Sequence, residues 1–346
     1  MNQKNQNKQT LKDIGEKEII RSIIKPLFNP DNKVGLAGDD CAVIDILNQK
    51  SICLSTDRVP ANLISFKLGL INYFELGYYL GILNISDIVA NGAIPIGFLL
   101  TFAFESNFLI EDLKNILCGV KKACDDYSCQ VLGGDLSDSS EMSIGATSIG
   151  ITDQNNVLYR QGASIGDYIY CSDYLGLTAT AFDYFLKAKP QGLVLSEYEE
   201  EILVNQFRKP KARLEFSQRL SQSNFRITCM DNTDGIGQSL LELAEINNLR
   251  FELNKDDLPI HEISIKVADF LSKDILDVVL GVGADFQLIG THESNLELQN
   301  INNDVSDNIQ IIGKIYEGKG VWIKDEKSIT TECNIPGWDY YNIKID

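Results

Sequence analysis

The sequence predicts an α/β (α+β) protein with two domains. Its 346 residues exceed the length at which one hydrophobic core stops growing. Hydrophobic residues make up 44% and charged residues 23%, as in ordinary globular proteins. Apolar runs typical of strands alternate with segments of helical periodicity. We predict a tail over residues 1–14, an N-terminal domain over 15–155 and a C-terminal domain over 156–346.

The N-terminal domain is predicted to begin with a helix, because isoleucines between residues 19 and 24 repeat with helical spacing. A later apolar helix should stop at Gly92 and Pro95. The apolar run after it has the composition of an interior strand. In order, the predicted elements are a helix over residues 16–28, strands over 41–46 and 51–55, a helix over 74–91, a strand over 96–104, a helix over 109–127, and strands over 130–132 and 142–152.

The C-terminal domain continues this alternation. Its first strand follows a polar turn, and apolar residues at 240, 241, 243 and 244 predict a later helix. In order, the predicted elements are a strand over 167–171, helices over 179–189 and 198–206, a strand over 226–230, a helix over 237–247, and apolar segments over 275–280, 286–290 and 309–315 that complete the domain.

The charge of the chain excludes several classes of protein. Forty-nine acidic residues against 31 basic ones give a net charge of −18, which repels nucleic-acid backbones and anionic lipids. Glu75 and Asp87 interrupt the most apolar stretch, residues 63–104, so it cannot span a bilayer. The first ten residues lack the apolar core of a signal peptide. We therefore expect neither a nucleic-acid nor a membrane partner.

Cysteine and histidine usage favours a cytoplasmic protein without a zinc site. None of the eight cysteines forms a C-x-x-C pair, so free thiols in a reducing compartment are expected. The two histidines, His261 and His292, stand in no recognisable catalytic pattern and are expected at the surface. If the protein is an enzyme, its sequence therefore favours a mechanism based on carboxylates and metal ions.

Five acidic clusters stand at the ends of apolar elements. Carboxylate oxygens are the ligands that Mg²⁺ prefers, so converging clusters would build a multi-metal site for a polyphosphate. Each aspartate alone could equally cap a helix or a turn. Asp87 favours the metal interpretation most, because a charge inside an apolar helix needs compensation. The clusters are Gly38-Asp39-Asp40, Ser55-Thr56-Asp57, Asn84-Ile85-Ser86-Asp87, Gly133-Gly134-Asp135 and the segment 230–235.

Two further motifs complete a series that runs from about residue 15 to the C-terminus. Residues 160–167 have the composition of an arginine-glycine-aspartate turn. The second motif, Pro336-Gly337-Trp338-Asp339-Tyr340, lies near the C-terminus. In this order, the series resembles the thiamine-monophosphate kinase family, which belongs to the superfamily of aminoimidazole ribonucleotide synthetase and selenophosphate synthetase.

The resemblance implies an ATP- and Mg²⁺-dependent kinase that converts thiamine monophosphate to thiamine diphosphate. It also implies an aminoimidazole ribonucleotide synthetase-like fold, in which the N-terminal domain pairs with its twin in a homodimer and a larger C-terminal α/β domain follows. The implied magnesium ligands are Asp40, Ser55, Thr56, Asp57, Asp87, Asp135, Asp231 and Asp234. The implied ATP contacts are Gly134, Arg160 and Thr233. No protein acid or base is expected, because a phosphomonoester with a second pKa of about 6 is already largely ionised near neutral pH.

The acceptor side departs from the family pattern. Ile64 stands where the family has a histidine and Ala284 where it has a glutamate, whereas Trp338 is kept. Loss of a polar contact in a substrate pocket can change discrimination by orders of magnitude. Two alternatives therefore stay open: a paralogue that uses ATP to phosphorylate or activate a different small-molecule acceptor, and a catalytically silent nucleotide-binding protein.

Overall fold

Two sheets organise the chain. The computed structural model describes residues 10–36, 38–304 and 309–333. In the first sheet the spatial order is β1-β2-β5-β3-β4, with β3 and β4 parallel and the other neighbours antiparallel. Its strands are β1 Ala42–Ile46, β2 Lys50–Arg58, β3 Ile94–Phe104, β4 Gln130–Asp138 and β5 Ser143–Asp153. The sheet ends next to the domain boundary that the sequence predicts.

The second sheet has the order β12-β11-β8-β10-β6-β9-β7 within the described ranges. Its strands are β6 Tyr168–Ser172, β7 Ile227–Asn232, β8 Arg250–Asn254, β9 Gln287–His292, β10 Ile309–Tyr316, β11 Gly320–Lys324 and β12 Thr330–Glu332. Only β8 and β11 pair in parallel among these strands, so this sheet is mostly antiparallel.

The helices cover the sheets and connect the strands. In chain order they are α1 Leu11–Ile14, α2 Glu16–Ile19, α3 Lys25–Phe28, α4 Ile64–Lys67, α5 Tyr73–Ala90, α6 Ile110–Asp126, α7 Leu177–Asp183, α8 Glu197–Arg208, α9 Leu214–Ser221, α10 Ile236–Asn247, α11 Glu262–Leu271, α12 Ile275–Val279 and α13 Asn295–Asp304, with π-helical turns at Ile20–Ile24 and Tyr184–Ala188. In the part of the chain that the structure describes, no helix has the length and apolar character needed to cross a membrane.

A close glycine contact joins α5 to α6. A Cβ atom on Gly77 would lie 1.9 Å from the carbonyl oxygen of Ile116, and one on Gly119 would lie 1.9 Å from that of Phe74. The two helix backbones can therefore approach this closely only where no side chain intervenes. Helix α5 also packs against β2 and β5, and these contacts together position Asp87.

The face of the first sheet that points away from α5 is apolar and exposed. Cross-strand pairing aligns Ile44, Ile52, Ile151 and Ile94 in one row on this face. Ile44 is 49% exposed and Ile94 is 50% exposed. Leu99 of β3 lies on the same face and is 42% exposed. One side of the sheet is thus covered by helices, and the other presents an isoleucine-rich surface, which we call the open face.

The predicted elements of the N-terminal half are all present, but several strands are longer than predicted. β2 continues to Arg58 instead of ending at residue 55, and β3 begins at Ile94 instead of residue 96.

The largest difference is at β4. The pattern suggested a strand that ends at residue 132, whereas β4 continues to Asp138. Gly133 and Gly134, which resemble a turn in the sequence, continue the strand with φ angles of 155° and 154°. Glycine is required there because a Cβ atom on Gly134 would lie 2.1 Å from the carbonyl oxygen of Leu100.

Several elements of the C-terminal half were not predicted, namely α9, β8, α11, α13, β11 and β12. Strand β8 shows the reason. It buries only Phe251 and Leu253 between charged residues, a pattern too short to indicate a strand by itself. Pairing with β10 and β11 supplies the remaining stabilisation.

The predicted surface position of His292 is wrong. His292 is fully buried in β9, an interior strand between β6 and β7. Its Nδ1 accepts a hydrogen bond from the backbone amide of Ser294 at 2.9 Å. Burial lowers the pKa of His292, so its imidazole favours the neutral form. All six residues of β9 are buried, so both faces of this interior strand are covered and the imidazole is enclosed whatever its polarity.

We expect Gly119→Ala to lower the free energy of unfolding by about 1–3 kcal/mol, because the added methyl group pushes α6 away from α5. Urea unfolding followed by circular dichroism measures this change. Cys118→Ala is the matched control, since Cys118 is exposed on the same helix. Equal unfolding free energies for the two variants would contradict the proposed close contact.

Candidate active site

Three buried aspartates from both halves of the chain meet at one place. Asp40 precedes β1, Asp87 lies in the last turn of α5, and Asp231 lies near the end of β7. Each offers a carboxylate oxygen, and the three oxygens lie within 4.8 Å of one another. Asp40 and Asp87 are each 9% exposed and Asp231 is 2% exposed. The structure thus brings together three of the ligands that the sequence resemblance implies.

Strand β2 adds two more of these residues on the side that faces α5. Ser55 Oγ donates a hydrogen bond to Asp87 Oδ2 at 2.5 Å. The backbone amide of Asp57 donates to Asn84 Oδ1 at 3.2 Å, which ties the end of β2 to the same helix. Side chains alternate along a strand, so Ser55 and Asp57 face α5 whereas Thr56 points to the open face.

Burial of these like charges shifts their titration. Burial raises the pKa of Asp87 well above its usual range, and the charges of Asp57 and Asp231 raise it further. Burial, together with the nearby Asp40 carboxylate, raises the pKa of Asp231 to about 8. Burial also raises the pKa values of Asp40 and Asp57, although Arg160 opposes the shift at Asp40. Without a further cation, protons are held at this cluster near neutral pH.

The donor set of the cluster fits a hard divalent cation. Asp40 Oδ2 and Asp231 Oδ2 are buried and have no hydrogen-bond partner among the residues that the structure describes. A buried carboxylate oxygen without a partner is costly unless a proton or a cation satisfies it. All the ligand atoms are oxygens, which suits Mg²⁺ rather than Zn²⁺. The residues present therefore fit the group that the resemblance implies.

A chain of alternating charges extends from this cluster. Arg160 binds Asp40 Oδ1 at 2.5 Å through Nη2 and Glu242 Oε2 at 2.9 Å through Nη1. Glu242 also contacts the ammonium group of Lys17, which lies 2.6 Å from Asp234 Oδ2. Burial lowers the pKa of Arg160, but the Asp40 and Glu242 charges outweigh it, so Arg160 stays charged. The order is Asp40, Arg160, Glu242, Lys17, Asp234.

Sequence reasoning missed Lys17 and Glu242. Lys17 belongs to α2, and Glu242 lies on α10 among leucines, where a glutamate is usually a solvent-facing residue of an amphipathic helix. Only the fold brings them together, since 225 positions separate them in the numbering. A lysine in the predicted first helix of so acidic a chain was the one available signal, and it is weak.

Two implied ligands lie away from the cluster. Thr56 Oγ1 is 2.8 Å from Thr147 Oγ1 on the open face. Asp135 pairs with Thr101 in register and is exposed on β4, and Gly134 precedes it. Strands β5 and β3 separate β4 from β2, which corresponds to roughly 14 Å across the sheet at about 4.8 Å per strand. The described part of one chain does not bring Asp135 to Asp87.

The remaining implied contacts are dispersed. Thr233 lies in the turn between β7 and α10, next to Asp234. Ile64 begins α4 and is half-buried, and Ala284 packs against the main hydrophobic core. The Ala284 carbonyl accepts a hydrogen bond from Thr178 Oγ1 at 3.1 Å. Trp338 lies outside the described residues.

A cavity of about 200 Å³ adjoins Arg160. Lys25, Lys33, Gly38, Asp39 and Gln161 line it together with Arg160. Burial and the neighbouring Asp40 charge raise the pKa of Asp39 to about 6. Three basic side chains around one cavity of an acidic protein can receive an anionic group.

The chain is similar to one known family and to several known proteins. Residues 38–152 match the family model described as AIR synthase related protein, N-terminal domain. A thiamine-monophosphate kinase of Aquifex aeolicus is 28% identical over 335 residues, which covers 96% of this chain and 99% of the relative. A thiamine-monophosphate kinase of Bacillus subtilis is 27% identical over 281 residues and is covered to 83% by this chain, of which the match spans 80%.

Solved structures share the fold. The structure of AaThiL complexed with AMPPCP and TMP superposes with a TM-score of 0.79 at 24% identity, covering 96% of this chain and 99% of that chain. The HypE–HypF complex gives a TM-score of 0.71 at 17% identity, with 92% and 99% coverage. The predicted α/β fold is confirmed, and the family model matched over residues 38–152 agrees with the predicted superfamily.

Asp231→Asn is expected to stabilise the protein in the absence of divalent cations, and increasingly so as the pH rises. An acid whose pKa is about 8 when folded and near 4 when unfolded binds more protons in the folded state, so its ionisation costs stability above pH 4. The cost grows up to about pH 8. Urea unfolding with a chelator at pH 5 and pH 8 should show a gain that is larger at pH 8, by about 4 kcal/mol, since each pH unit between the two pKa values is worth about 1.4 kcal/mol.

Asp256→Asn is the matched control, because Asp256 is exposed in a turn and should give no such pH-dependent gain. A gain for Asp231→Asn that does not grow between pH 5 and pH 8 would contradict the shifted titration of this carboxyl group.

Proposed function

Because the chain belongs to the thiamine-monophosphate kinase family, within the aminoimidazole ribonucleotide synthetase superfamily, we propose that it transfers the γ-phosphoryl group of ATP to thiamine monophosphate. The products are thiamine diphosphate and ADP. The observation that carries this proposal is the buried cluster of Asp40, Asp87 and Asp231, whose free oxygens lie beside an arginine suited to phosphate.

The reaction needs no proton transfer from a side chain. A phosphate oxygen of the acceptor attacks the γ-phosphorus, and the bond to the β–γ bridging oxygen breaks with ADP leaving. The acceptor oxygen is already largely ionised, because the second pKa of a phosphomonoester is about 6. The cluster accordingly contains carboxylates and no histidine among the residues described. The main obstacle is repulsion between two polyanions.

Magnesium ions, when bound, would neutralise the phosphates and align donor and acceptor oxygens. We assign their ligation on the α5 side of the sheet to Asp40, Ser55, Asp57, Asp87 and Asp231, with Asp234 as a further carboxylate at the end of the charge chain. Asp87 has the central place, because its carboxylate contacts Ser55 and lies among the other acidic groups. The buried helix α5 holds this carboxylate in a fixed orientation.

We assign the nucleotide to the region of Arg160. Its guanidinium group already spans two carboxylates, so it is held in place for a phosphate. The adjoining cavity contributes Lys25 and Lys33, and Thr233 offers a hydroxyl group in the turn after β7. These groups compensate locally for the −18 charge of the chain, which would otherwise repel ATP.

The chain acts as a homodimer through the open face in this proposal. The isoleucine row and Leu99 leave an apolar area in water, which a second copy of the same sheet would cover. Thr56, Gly134 and Asp135 lie on this sheet away from the cluster. Their implied metal and nucleotide contacts would then be made at the boundary between the two copies. The eight free cysteines fit a cytoplasmic site of action.

A second candidate acceptor has one observation in its favour. Ile64 and Ala284 supply neither the imidazole nor the carboxylate that the family pattern has at these positions. The Ala284 side chain has no polar group, and its backbone carbonyl already accepts a hydrogen bond from Thr178. A small-molecule acceptor that needs fewer polar contacts would fit such a pocket, with the same ATP chemistry.

Incubation with ATP, Mg²⁺ and thiamine monophosphate should give new diphosphate-ester signals in a ³¹P NMR time course. Asp87→Asn should lower the rate by about 100-fold or more, since it removes the central carboxylate. Asp256→Asn, at an exposed turn, should keep the rate of the wild type. Nucleotide binding without thiamine diphosphate, but with transfer to another phosphate ester or carboxylate, would favour the second candidate. Binding without transfer to any acceptor would indicate a silent protein.

Leu99→Arg is expected to convert the dimer to a monomer, because it places an unpaired charge in the proposed interface. Sedimentation velocity measures the change in mass. Leu109→Arg is the matched control, since Leu109 is 65% exposed but precedes α6 on the helix-covered side. A wild-type monomer, or an unchanged dimer in the Leu99 variant, would refute this interface.

A further inference from the structure

One lysine of the N-terminal helical segment reaches into the candidate active site. The Lys17 ammonium group lies 2.6 Å from Asp234 Oδ2 and contacts Glu242 Oε1. Lys17 and Asp234 are 217 positions apart, so the contact joins the first helices of the chain to the turn after β7. No step of the proposed phosphoryl transfer uses Lys17.

The two cations of the charge chain differ in how firmly they are held. Arg160 has an exposed side-chain fraction of 16%, and each of its two terminal nitrogens binds a different carboxylate. Lys17 has an exposed fraction of 36% and carries its charge on a flexible four-carbon stem. The strongly hydrated ammonium group can therefore leave a carboxylate at lower cost than the guanidinium fork can. Lys17 is the exchangeable cation of the two.

Lys17 occupies lone pairs that a metal ion would need. Asp234 Oδ2 accepts a hydrogen bond from the ammonium group, and Asp234 is one of the carboxylates assigned to magnesium. An ammonium group and a divalent cation cannot share this oxygen without strong repulsion. Glu242 contacts Lys17 through Oε1 and Arg160 through Oε2, so it keeps the lysine near the site when Asp234 is released.

We propose that Lys17 is a resident counter-cation of the active site, which competes with magnesium for Asp234 and weakens metal binding there until the metal–nucleotide complex displaces it. This inference rests on the proposed function, because it takes Asp234 as a metal ligand. Displacement leaves the ammonium group held by Glu242 at the edge of the site, where it can approach the incoming phosphates. Lys17 thus favours loading of metal together with nucleotide over loading of metal alone.

The test measures binding of Mn²⁺ alone to the full chain, by electron paramagnetic resonance of the free ion, without nucleotide. Lys17→Met should lower the apparent dissociation constant of the Asp234 site about two- to fivefold, the range expected for a partly exposed ion pair. The Mn²⁺ binding that is lost in Asp234→Asn is the binding at the Asp234 site. In the Asp234→Asn background, Lys17→Met should have no further effect, which isolates the coupling of the pair.

Two control variants separate this role from simpler ones. Arg21→Met removes the same charge from the same segment, but Arg21 is 72% exposed and pairs with Glu18, so metal affinity should not change. Lys17→Arg keeps the competing charge and should bind Mn²⁺ no more tightly than the wild type does. If Lys17→Met fails to fold, Lys17→Gln, which keeps a hydrogen-bond donor without the charge, carries the same expectation.

Equal tightening in Arg21→Met and Lys17→Met would overturn the inference in favour of a general charge effect. Unchanged or weaker Mn²⁺ binding in Lys17→Met would overturn it in favour of a structural tie between the N-terminal segment and α10. Either result with normal thiamine diphosphate formation leaves the proposed function standing. Tightening as expected without any phosphoryl transfer would support the role of Lys17 and refute the kinase. Absence of Mn²⁺ binding by both the wild type and Lys17→Met would overturn the inference, and thiamine diphosphate formation would then test the proposed function separately.

Discussion

The enclosure of several carboxylates in one poorly solvated place is the constraint on which the rest of the structure depends. Asp40, Asp87 and Asp231 are almost fully buried, within 4.8 Å of one another. Such groups repel one another and lose hydration, so a protein keeps them only where cations or protons compensate. Burial and mutual repulsion accordingly raise the pKa values of Asp87 and Asp231. The arrangement is unfavourable for the isolated fold and favourable for a protein that binds divalent cations and polyphosphates.

The remainder of the fold keeps this cluster in place. Helix α5 delivers Asp87 from a buried position, and the glycine contact with α6 fixes the distance of α5 from its neighbour. Strand β2 delivers Ser55 and Asp57 to the same side, while β7 brings Asp231 from the second sheet. The charges are balanced from outside the cluster through Arg160 and Glu242. Because ligands come from both halves of the chain, bound cations would also stabilise the association of the two sheets.

The alternation of side chains along β2 divides the implied site between two faces of one sheet. Ser55 and Asp57 face α5, whereas Thr56 points to the open face. Asp135 lies in the same sheet, on its edge strand β4. The open face is also the apolar surface that a second copy would cover in the proposed dimer. Oligomerisation and catalysis are therefore linked in this proposal by the geometry of a single strand.

The sequence by itself determined the α/β class, the main elements of the N-terminal half and the set of acidic clusters, because these depend on local periodicity and on motif order. It also singled out Asp87, since a charge within an apolar helix is unusual wherever the helix lies. Only the tertiary structure decided which carboxylates meet, that Asp135 stands apart, that β4 passes through Gly133 and Gly134, and that Lys17 and Glu242 join the site. Those features arise from contacts between residues far apart in the chain, which no local pattern encodes.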